Sequence, residues 1–313
     1  MKTALLFAGQ GAQVVGMGKD LAAASPAARQ IFERANTVLG FDLARICFDG
    51  PVAELTKTDN AQPAIFAASI ACLEALRAEL GKQGRSLEFA ATAGLSLGEF
   101  TAHVAAGTMS FDDGLKLVRL RGQAMQAACE ATAGTMAAVM NLDEAACAEV
   151  CKESGAEVAN LNCPGQIVIS GEKTAIATAC EKAKARGAKR ALPLNVAGAY
   201  HSRLMANAQA PLASALTSVA MTAPKVTVVS NVTAQPAATP EQIRDLLVRQ
   251  VVSSVYWEAS MRWLLAQGFQ RFIELGPGTV LAGFMKRIDA SVPVLSVNDC
   301  ASLAAVAAKL LAP

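Results

Sequence analysis

Ser96 stands between two glycines, in Gly94-Leu95-Ser96-Leu97-Gly98, at the point where an apolar run of the chain ends. Residues 89–94 have the pattern of a buried strand, and the residues from 99 onward have that of a helix. A serine at such a corner has a strained backbone and an exposed hydroxyl, with the first amides of the helix behind it. This hydroxyl could attack an acyl group and carry it as an ester.

A serine nucleophile needs a base, usually histidine, and the chain has two histidines. His103 would lie about 10 Å from Ser96 along the same helix, and its apolar neighbours predict a packed, structural position. His201 lies in a predicted turn after residue 197, where loops often line clefts. A loop histidine with structural hydrogen bonds only is the alternative, but His201 is the candidate base.

Arg121 falls on the apolar face of a helix predicted over residues 111–129, whereas Arg119 belongs to its solvated face. Burial of a guanidinium without a partner is costly. Arg121 should therefore either pair with a protein carboxylate or reach a cleft. In a cleft, its planar fork could hold a substrate carboxylate through two hydrogen bonds.

The loop Gly9-Gln10-Gly11 follows the first predicted strand. It has neither the spacing of a dinucleotide-binding loop nor the lysine of a P-loop. Its glycines would let the backbone approach another group closely. One such use is an amide aimed at the Ser96 reaction centre, as half of an oxyanion hole.

Strand and helix patterns alternate along the chain, which predicts an α/β fold with helices on both faces of a sheet. One of these helices is long and apolar and is expected from about Pro63 to Leu80, with its N-cap within residues 58–60. Between residues 130 and 197 the order becomes β-α-β-β-α-β, the ferredoxin-like pattern. We therefore expect a large α/β-hydrolase-like domain with a parallel-rich sheet, formed by residues 1–129 and 198–313. Residues 130–197 should form an inserted ferredoxin-like small domain.

Of the 313 residues, 53% are apolar and 17% charged, which excludes wholesale disorder. A net charge of +2 and 5% aromatic residues argue against nucleic-acid binding. The apolar runs are too short for a signal peptide or a membrane span, so we expect a cytoplasmic protein with reduced cysteines. Cys147 and Cys151 lie one helical turn apart without a nearby histidine, so no metal site is expected.

Together these motifs resemble the malonyl-CoA:acyl carrier protein transacylases of fatty-acid synthesis and the related acyltransferase domains of polyketide synthases. The resemblance covers the whole chain. The matching stretches are 9–13, 94–99, 121–122, 162–166, 198–202, 230–231, 250 and 276–281. The family often has histidine directly before the nucleophile, where this chain has Leu95.

The resemblance implies a role for seven residues. They are the nucleophile Ser96, its base His201, the oxyanion-hole amides of Gln10 and Leu97, and the substrate-binding residues Arg121, Asn162 and Gln250. The backbone carbonyl of Gln250 would orient His201, and Arg121 would hold the malonyl carboxylate. Gly198-Ala199-Tyr200-His201 is similar to the Gly-Ala-Phe-His sequences that accompany malonyl preference in the family.

The implied reaction is a ping-pong transfer from malonyl-CoA, through a malonyl-serine ester, to the phosphopantetheine thiol of an acyl carrier protein. The CoA thioester is the substrate, so no cofactor is expected. We expect a monomer without nucleic-acid or membrane partners. Within the family, the transacylase subunit of a malonate decarboxylase and a stand-alone polyketide acyltransferase are alternatives.

Two readings outside the family stay open. A serine esterase or thioesterase would need a triad acid, for which Asp112, Asp113 or Asp143 is available between the serine and the histidine. A binding module that senses malonyl groups without turnover is the other, although the presence of both Ser96 and His201 argues against it.

Overall fold

The structure, a computed structural model, describes residues 1–312. Its strands are β1 (Thr3–Phe7), β2 (Ala91–Gly94), β3 (Gly134–Met140), β4 (Glu157–Cys163), β5 (Gln166–Glu172), β6 (Arg190–Pro193), β7 (Thr227–Val228), β8 (Arg271–Leu275) and β9 (Val294–Val297). Its first seven α-helices are α1 (Lys19–Ala24), α2 (Pro26–Leu39), α3 (Leu43–Asp49), α4 (Val52–Leu55), α5 (Thr58–Gly81), α6 (Leu97–Ala105) and α7 (Phe111–Ala131). The others are α8 (Glu144–Ser154), α9 (Lys173–Ala185), α10 (Gln209–Thr217), α11 (Pro240–Arg249), α12 (Trp257–Ala266), α13 (Val280–Ile288) and α14 (Cys300–Leu311). Two 3₁₀ turns span Arg203–Ala208 and Gln250–Val252.

The larger sheet has the order β7-β2-β1-β8-β9, and all of its neighbouring strands are parallel. Every residue of the central strand β1 is buried, as expected where helices cover both faces of a parallel sheet. The expectation of an α/β fold with a parallel sheet is confirmed. The carboxyl ends of parallel strands lie at one edge, so the loops that follow β1 and β2 meet there.

The second sheet is antiparallel, with the order β4-β5-β3-β6, and it is formed by the middle of the chain. Alternate residues of β3 face opposite ways. Ala137 and Val139 pack in a core with α8 and α9, whereas Met136 and Ala138 line a cleft shared with the parallel sheet. The antiparallel sheet therefore has its own core and gives its other face to the cleft.

Helix α5 begins at Thr58, earlier than the start near Pro63 that the sequence indicates. Proline lacks the amide hydrogen that would bond to the carbonyl of Asp59 four residues earlier. That carbonyl accepts a hydrogen bond from Arg119 of α7 instead. The helix continues through the proline because a side chain from another helix satisfies the carbonyl that the proline leaves unpaired.

Within residues 1–312, no helix combines the length and the apolar composition needed to cross a bilayer. The eight cysteines are free thiols, and all but Cys300 are buried. They contribute to packing as small apolar side chains.

Candidate active site

Ser96 lies between the end of β2 and the start of α6, with φ 52°, a value that residues other than glycine rarely adopt. The flanking glycines are needed because backbone atoms pack so closely around this turn that a side chain would overlap them. A Cβ on Gly94 would lie 1.9 Å from the carbonyl carbon of Gly98, and one on Gly98 would lie 2.2 Å from the carbonyl oxygen of Phe7. The two glycines thus allow α6 to sit directly on the ends of β1 and β2.

Asn231, which follows β7, holds the backbone of the Ser96 turn through two hydrogen bonds. Its Oδ1 accepts a hydrogen bond from the Ser96 amide at 2.6 Å, and its Nδ2 donates to the carbonyl of Gly94 at 2.8 Å. The Asn231 side chain is fully buried. Both bonds hold backbone groups on either side of the strained residue, so Asn231 maintains the direction of the Ser96 side chain.

His201 is adjacent to the serine hydroxyl. Its Nε2 lies 2.8 Å from Ser96 Oγ, and its Nδ1 lies 2.9 Å from the backbone carbonyl of Gln250. Because a carbonyl can only accept, the proton belongs on Nδ1 and the lone pair of Nε2 faces the serine. Burial, and then the nearby charge of Arg121, lowers the pKa of His201 to about 4. The imidazole is therefore neutral near pH 7 and able to take a proton.

Arg121 of α7 also reaches the serine, and its side chain is 1% exposed. Its Nη2 donates to Ser96 Oγ at 3.0 Å and to Gln250 Oε1 at 2.9 Å, while its Nη1 donates to Gln62 Oε1 at 2.8 Å. Among residues 1–312, no carboxylate lies within ion-pair distance of the guanidinium. Burial lowers the pKa of Arg121 to about 10, so it stays charged near neutrality. Arg121 therefore does not pair directly with a carboxylate, and it contacts Ser96, which lines the cleft between the two sheets.

Arg119 differs from the expectation of a solvated position. Its guanidinium pairs with Asp59 at 3.1 Å and donates to Asn60 at 2.8 Å, at the start of α5. It also stacks over the Phe41 ring at 4.9 Å. The side chain is only 22% exposed, because the early start of α5 brings polar groups against this face of α7.

Two backbone amides beside the serine donate no hydrogen bond to any other described residue, namely those of Gln10 and Leu97. The Ser96 amide, in contrast, is already bonded to Asn231. Leu97 is the first residue of α6, where amides lack partners within the helix. The two segments meet at the Ser96 turn, since Gly9 packs on the carbonyl of Leu95, and an oxyanion hole requires two unpaired donors of this kind.

The loop after β1 packs directly on the serine turn. A Cβ on Gly9 would lie 2.5 Å from the carbonyl oxygen of Leu95, which explains the need for glycine there. The Gln10 side chain donates weakly to Tyr200 Oη at 3.3 Å and Thr58 Oγ1 at 3.4 Å, and those two hydroxyls are 2.6 Å apart. These contacts hold the loop against the residue that precedes His201.

The cleft in front of Ser96 has a volume of about 710 Å³ and lies between the two sheets. Asn162, at the end of β4, lines the cleft from the antiparallel sheet. It is 5% exposed, and its Oδ1 has no hydrogen-bond partner among the described residues. Asn162 forms part of the wall and has no hydrogen bond to Ser96, His201 or Arg121.

Glu99, on the first turn of α6, is a part of this site that the sequence reasoning missed. It is 1% exposed, and its Oε2 accepts hydrogen bonds from Gln250 Nε2 at 2.6 Å and from the Asn231 amide at 3.2 Å. Burial raises the pKa of the carboxyl to about 7. The signal was present, because Glu99 is a charge within a helix whose neighbours are otherwise apolar. Gln62 of α5, which hydrogen-bonds Arg121, was missed as well, and it does not stand out because it follows the polar stretch of residues 58–60.

The carboxylates available for a hydrolase triad are engaged elsewhere. Asp112 pairs with Arg34 at 2.7 Å, Asp113 bonds to Ser110 at 2.6 Å, and Asp143 caps α8. His201 has a backbone carbonyl in the place of the triad acid.

The other histidine is separate from this site. His103 is 1% exposed and is paired with Thr108 Oγ1 at 3.3 Å. It occupies the packed position that its apolar neighbours predict.

Comparison with known proteins places these features in a family. The acyl transferase domain matches residues 4–307 of the chain. The malonyl CoA-acyl carrier protein transacylase of Bacillus subtilis is 43% identical over 303 residues, which are 95% of this chain and 94% of that protein.

Solved structures show the same similarity. An acyl carrier protein S-malonyltransferase from Vibrio cholerae has a TM-score of 0.92 and 42% identity, covering 98% of this chain and 100% of that one. A malonyl-transacylase in complex with its type II PKS acyl-carrier protein has a TM-score of 0.93 and 39% identity, covering 99% and 100%. The sequence and structure comparisons both cover almost the whole length of this chain. The chain belongs to the acyl transferase domain family.

Proposed function

We propose that the chain transfers a malonyl group from malonyl-CoA to the phosphopantetheine thiol of an acyl carrier protein, and so supplies malonyl units for fatty-acid synthesis. The observation that carries this proposal is the double contact of Ser96 Oγ, with His201 Nε2 at 2.8 Å and Arg121 Nη2 at 3.0 Å. A base and a buried cation at one hydroxyl suit a substrate whose thioester carbonyl lies close to its own carboxylate.

In the first half-reaction, Ser96 Oγ attacks the thioester carbonyl carbon while His201 Nε2 takes the hydroxyl proton. The carbonyl oxygen becomes an oxyanion, which the amides of Gln10 and Leu97 stabilise. The carbon–sulfur bond then breaks, and the imidazolium returns its proton to the CoA sulfur. When malonyl-CoA binds, Arg121 gives up its hydrogen bond to the serine and forms hydrogen bonds to the malonyl carboxylate, which it keeps during the transfer.

In the second half-reaction, the thiol of the carrier arm gives its proton to His201 and attacks the malonyl ester on Ser96. The ester carbon–oxygen bond breaks, and the serine oxygen recovers the proton from the imidazolium. Products and reactants are both thioesters, so the transfer should be reversible. Gln250 contributes its backbone carbonyl, which keeps the Nδ1 proton of His201 in place in both steps.

We further infer that residues 130–197 form a ferredoxin-like domain inserted into an α/β-hydrolase-like domain of residues 1–129 and 198–313. The cleft between the two sheets supports this division. Asn162 would bind substrate with its unpaired oxygen. We expect a cytoplasmic monomer that needs no cofactor, because the CoA thioester itself brings the reactive group.

The proposal is tested by incubating the protein with malonyl-CoA and locating the acyl ester by intact mass and peptide mapping. Wild-type protein should carry one malonyl ester on Ser96 with release of CoA, and Ser96→Ala should carry none. Ser291→Ala, at an exposed loop serine, is the matched control and should acylate normally. Absence of an adduct on the wild type, or an undiminished one on Ser96→Ala, would defeat the proposal.

Addition of a carrier protein separates the rivals. Transfer of the malonyl group to the carrier thiol supports the transacylase, and release of free malonate in its place would indicate a thioesterase. Binding of malonyl-CoA without release of CoA would indicate a binding module. Fatty-acid and polyketide carriers can be compared in the same assay.

A further inference from the structure

Glu99 has no role in the proposed transfer, although this carboxylate is almost completely buried and lies three residues after the nucleophile. Burial of an isolated carboxylate is energetically costly, so its neighbours must stabilise it. Those neighbours are the Gln250 side-chain amide, 2.6 Å away, the Asn231 backbone amide, 3.2 Å away, and the Ser230 hydroxyl. All three belong to loops that shape the active site.

The Gln250 side chain connects Glu99 to the rest of the site. Its Nε2 donates to Glu99 Oε2 at 2.6 Å and to the Ser96 carbonyl at 2.9 Å. Its Oε1 accepts from Arg121 Nη2 at 2.9 Å. Glu99 and Arg121 are therefore opposite charges at the two ends of one amide. Each end favours the same orientation of that amide, since the reversed orientation would point NH₂ at a cation and oxygen at a carboxylate.

This arrangement separates two effects of a counter-charge. A carboxylate in direct contact with Arg121 would neutralise it, but it would also occupy the hydrogen-bonding positions that a substrate carboxylate needs. Glu99 attracts the guanidinium through the Gln250 amide and leaves those positions to neutral oxygens. A substrate carboxylate can displace neutral oxygens more easily than it can displace an ion-paired one.

We propose that Glu99 is a positioning residue of the transfer, which fixes the Gln250 side chain and, through it, Arg121 and the carbonyl of Ser96. This inference rests on the proposed malonyl transfer. Glu99 hydrogen-bonds neither Ser96 Oγ nor His201, so it acts through Gln250 and Asn231 and takes no proton from the substrate.

The charge state of Glu99 gives the proposal a measurable consequence. Burial raises its pKa to about 7, against hydrogen bonds from Gln250, Asn231 and Ser230 and the attraction of Arg121. Arg121, from α7, is the charged group that faces it, and the other three are neutral. His201 is protonated only near pH 4. As the pH falls through about 7, Glu99 gains a proton and loses its strength as an acceptor for Gln250.

The test measures the rate of Ser96 malonylation on both sides of about pH 7, with wild type and Glu99→Gln. In the wild type, the rate should fall on the acid side with an apparent pKa near that of Glu99. In Glu99→Gln, this acid limb should disappear, and the rate on the alkaline side should fall by about 10-fold, as for a lost hydrogen bond to a charged group. The fall should appear in kcat more than in KM, because Glu99 does not contact the CoA portion of the substrate.

Glu274→Gln is the matched control. Glu274 is also a fully buried carboxylate, but it accepts hydrogen bonds from the backbone amides of Leu281 and Ala282 at the start of α13. The same substitution there should leave the acid limb in place. A purely structural role of Glu99 would make both variants behave alike, which would overturn the inference.

Glu99→Asp keeps the charge and shortens the side chain by one methylene, and it decides the matter if Glu99→Gln does not fold. It should retain an acid limb at a reduced rate. A wild-type rate and an unshifted limb in Glu99→Asp would overturn the inference. The inference would also be overturned if the wild type is malonylated and Glu99→Gln shows the same dependence of rate on pH. That result would leave the proposed function intact. A wild type that forms no ester would remove both.

Discussion

Ser96 derives its chemical setting from residues that are far from it along the chain. His201 and Arg121 contact its hydroxyl, and Asn231 holds its backbone amide. Burial lowers the pKa of both basic groups, to about 4 for the imidazole and to about 10 for the guanidinium, so near pH 7 the imidazole is neutral and the guanidinium stays charged. One hydroxyl thus lies between a proton acceptor and a cation, which is the combination that acylation by a dicarboxylic thioester requires.

At this scale, Arg121→Ala should reduce the preference for malonyl-CoA over acetyl-CoA. A hydrogen bond to a charged group contributes about 1.5–3 kcal/mol, so the ratio of kcat/KM for the two substrates should fall roughly 10- to 100-fold. Arg119→Ala, two residues away on α7 and bonded to Asp59, is the control and should keep the ratio. Equal losses for both acyl groups in Arg121→Ala would mean that the guanidinium is structural.

At the scale of elements, the site depends on how closely α6 lies against the parallel sheet. The loop after β1 and the turn after β2 meet because the two strands are parallel neighbours. The contact is tight enough that backbone atoms of Phe7 and Ala8 would lie within 2.9 Å of a Cβ on Gly98. These are backbone atoms and cannot move aside as a flexible side chain can.

Gly98→Ala should therefore displace α6 and carry Ser96 away from His201. Overpacking of this kind costs about 1–3 kcal/mol, which denaturant unfolding would measure, and acylation should fall more steeply than stability. Gly283→Ala on α13 is the control, because a Cβ there meets nothing within 4 Å. That variant should be neutral or more stable by up to about 1 kcal/mol. Normal acylation by Gly98→Ala would contradict this account of the turn.

For the molecule as a whole, the cleft has one wall from each sheet, so its width depends on how the two sheets are held together. Arg287 of α13 forms one such link. It donates to the Pro164 carbonyl at 2.6 Å and to Gln166 Oε1 at 3.3 Å, in the turn between β4 and β5. The link is exposed, and exposed polar contacts of this kind contribute little to stability, but it joins the antiparallel sheet to α13, the helix that follows β8 of the parallel sheet.

Arg287→Ala should accordingly raise the KM for malonyl-CoA by about 3-fold or more while changing the free energy of unfolding by less than about 1 kcal/mol. Steady-state kinetics and denaturant unfolding measure the two quantities. Arg262→Ala removes an exposed arginine whose ion pair with Glu258 lies within α12, and it should change neither. A KM equal to that of the wild type in Arg287→Ala would show that this link does not set the width of the cleft.

The sequence by itself determined the strand–turn–helix around Ser96, the α/β class and the burial of Arg121, because each depends on local periodicity and on the types of neighbouring residues. It placed the start of α5 too late, since the carbonyl left unpaired by Pro63 is satisfied by Arg119 from a different helix. The buried pairing of Glu99 with Gln250, and that of Asn231 with the Ser96 turn, were decided only by the tertiary structure. These hydrogen bonds join residues more than a hundred positions apart, and no local pattern specifies which distant polar groups share one buried space.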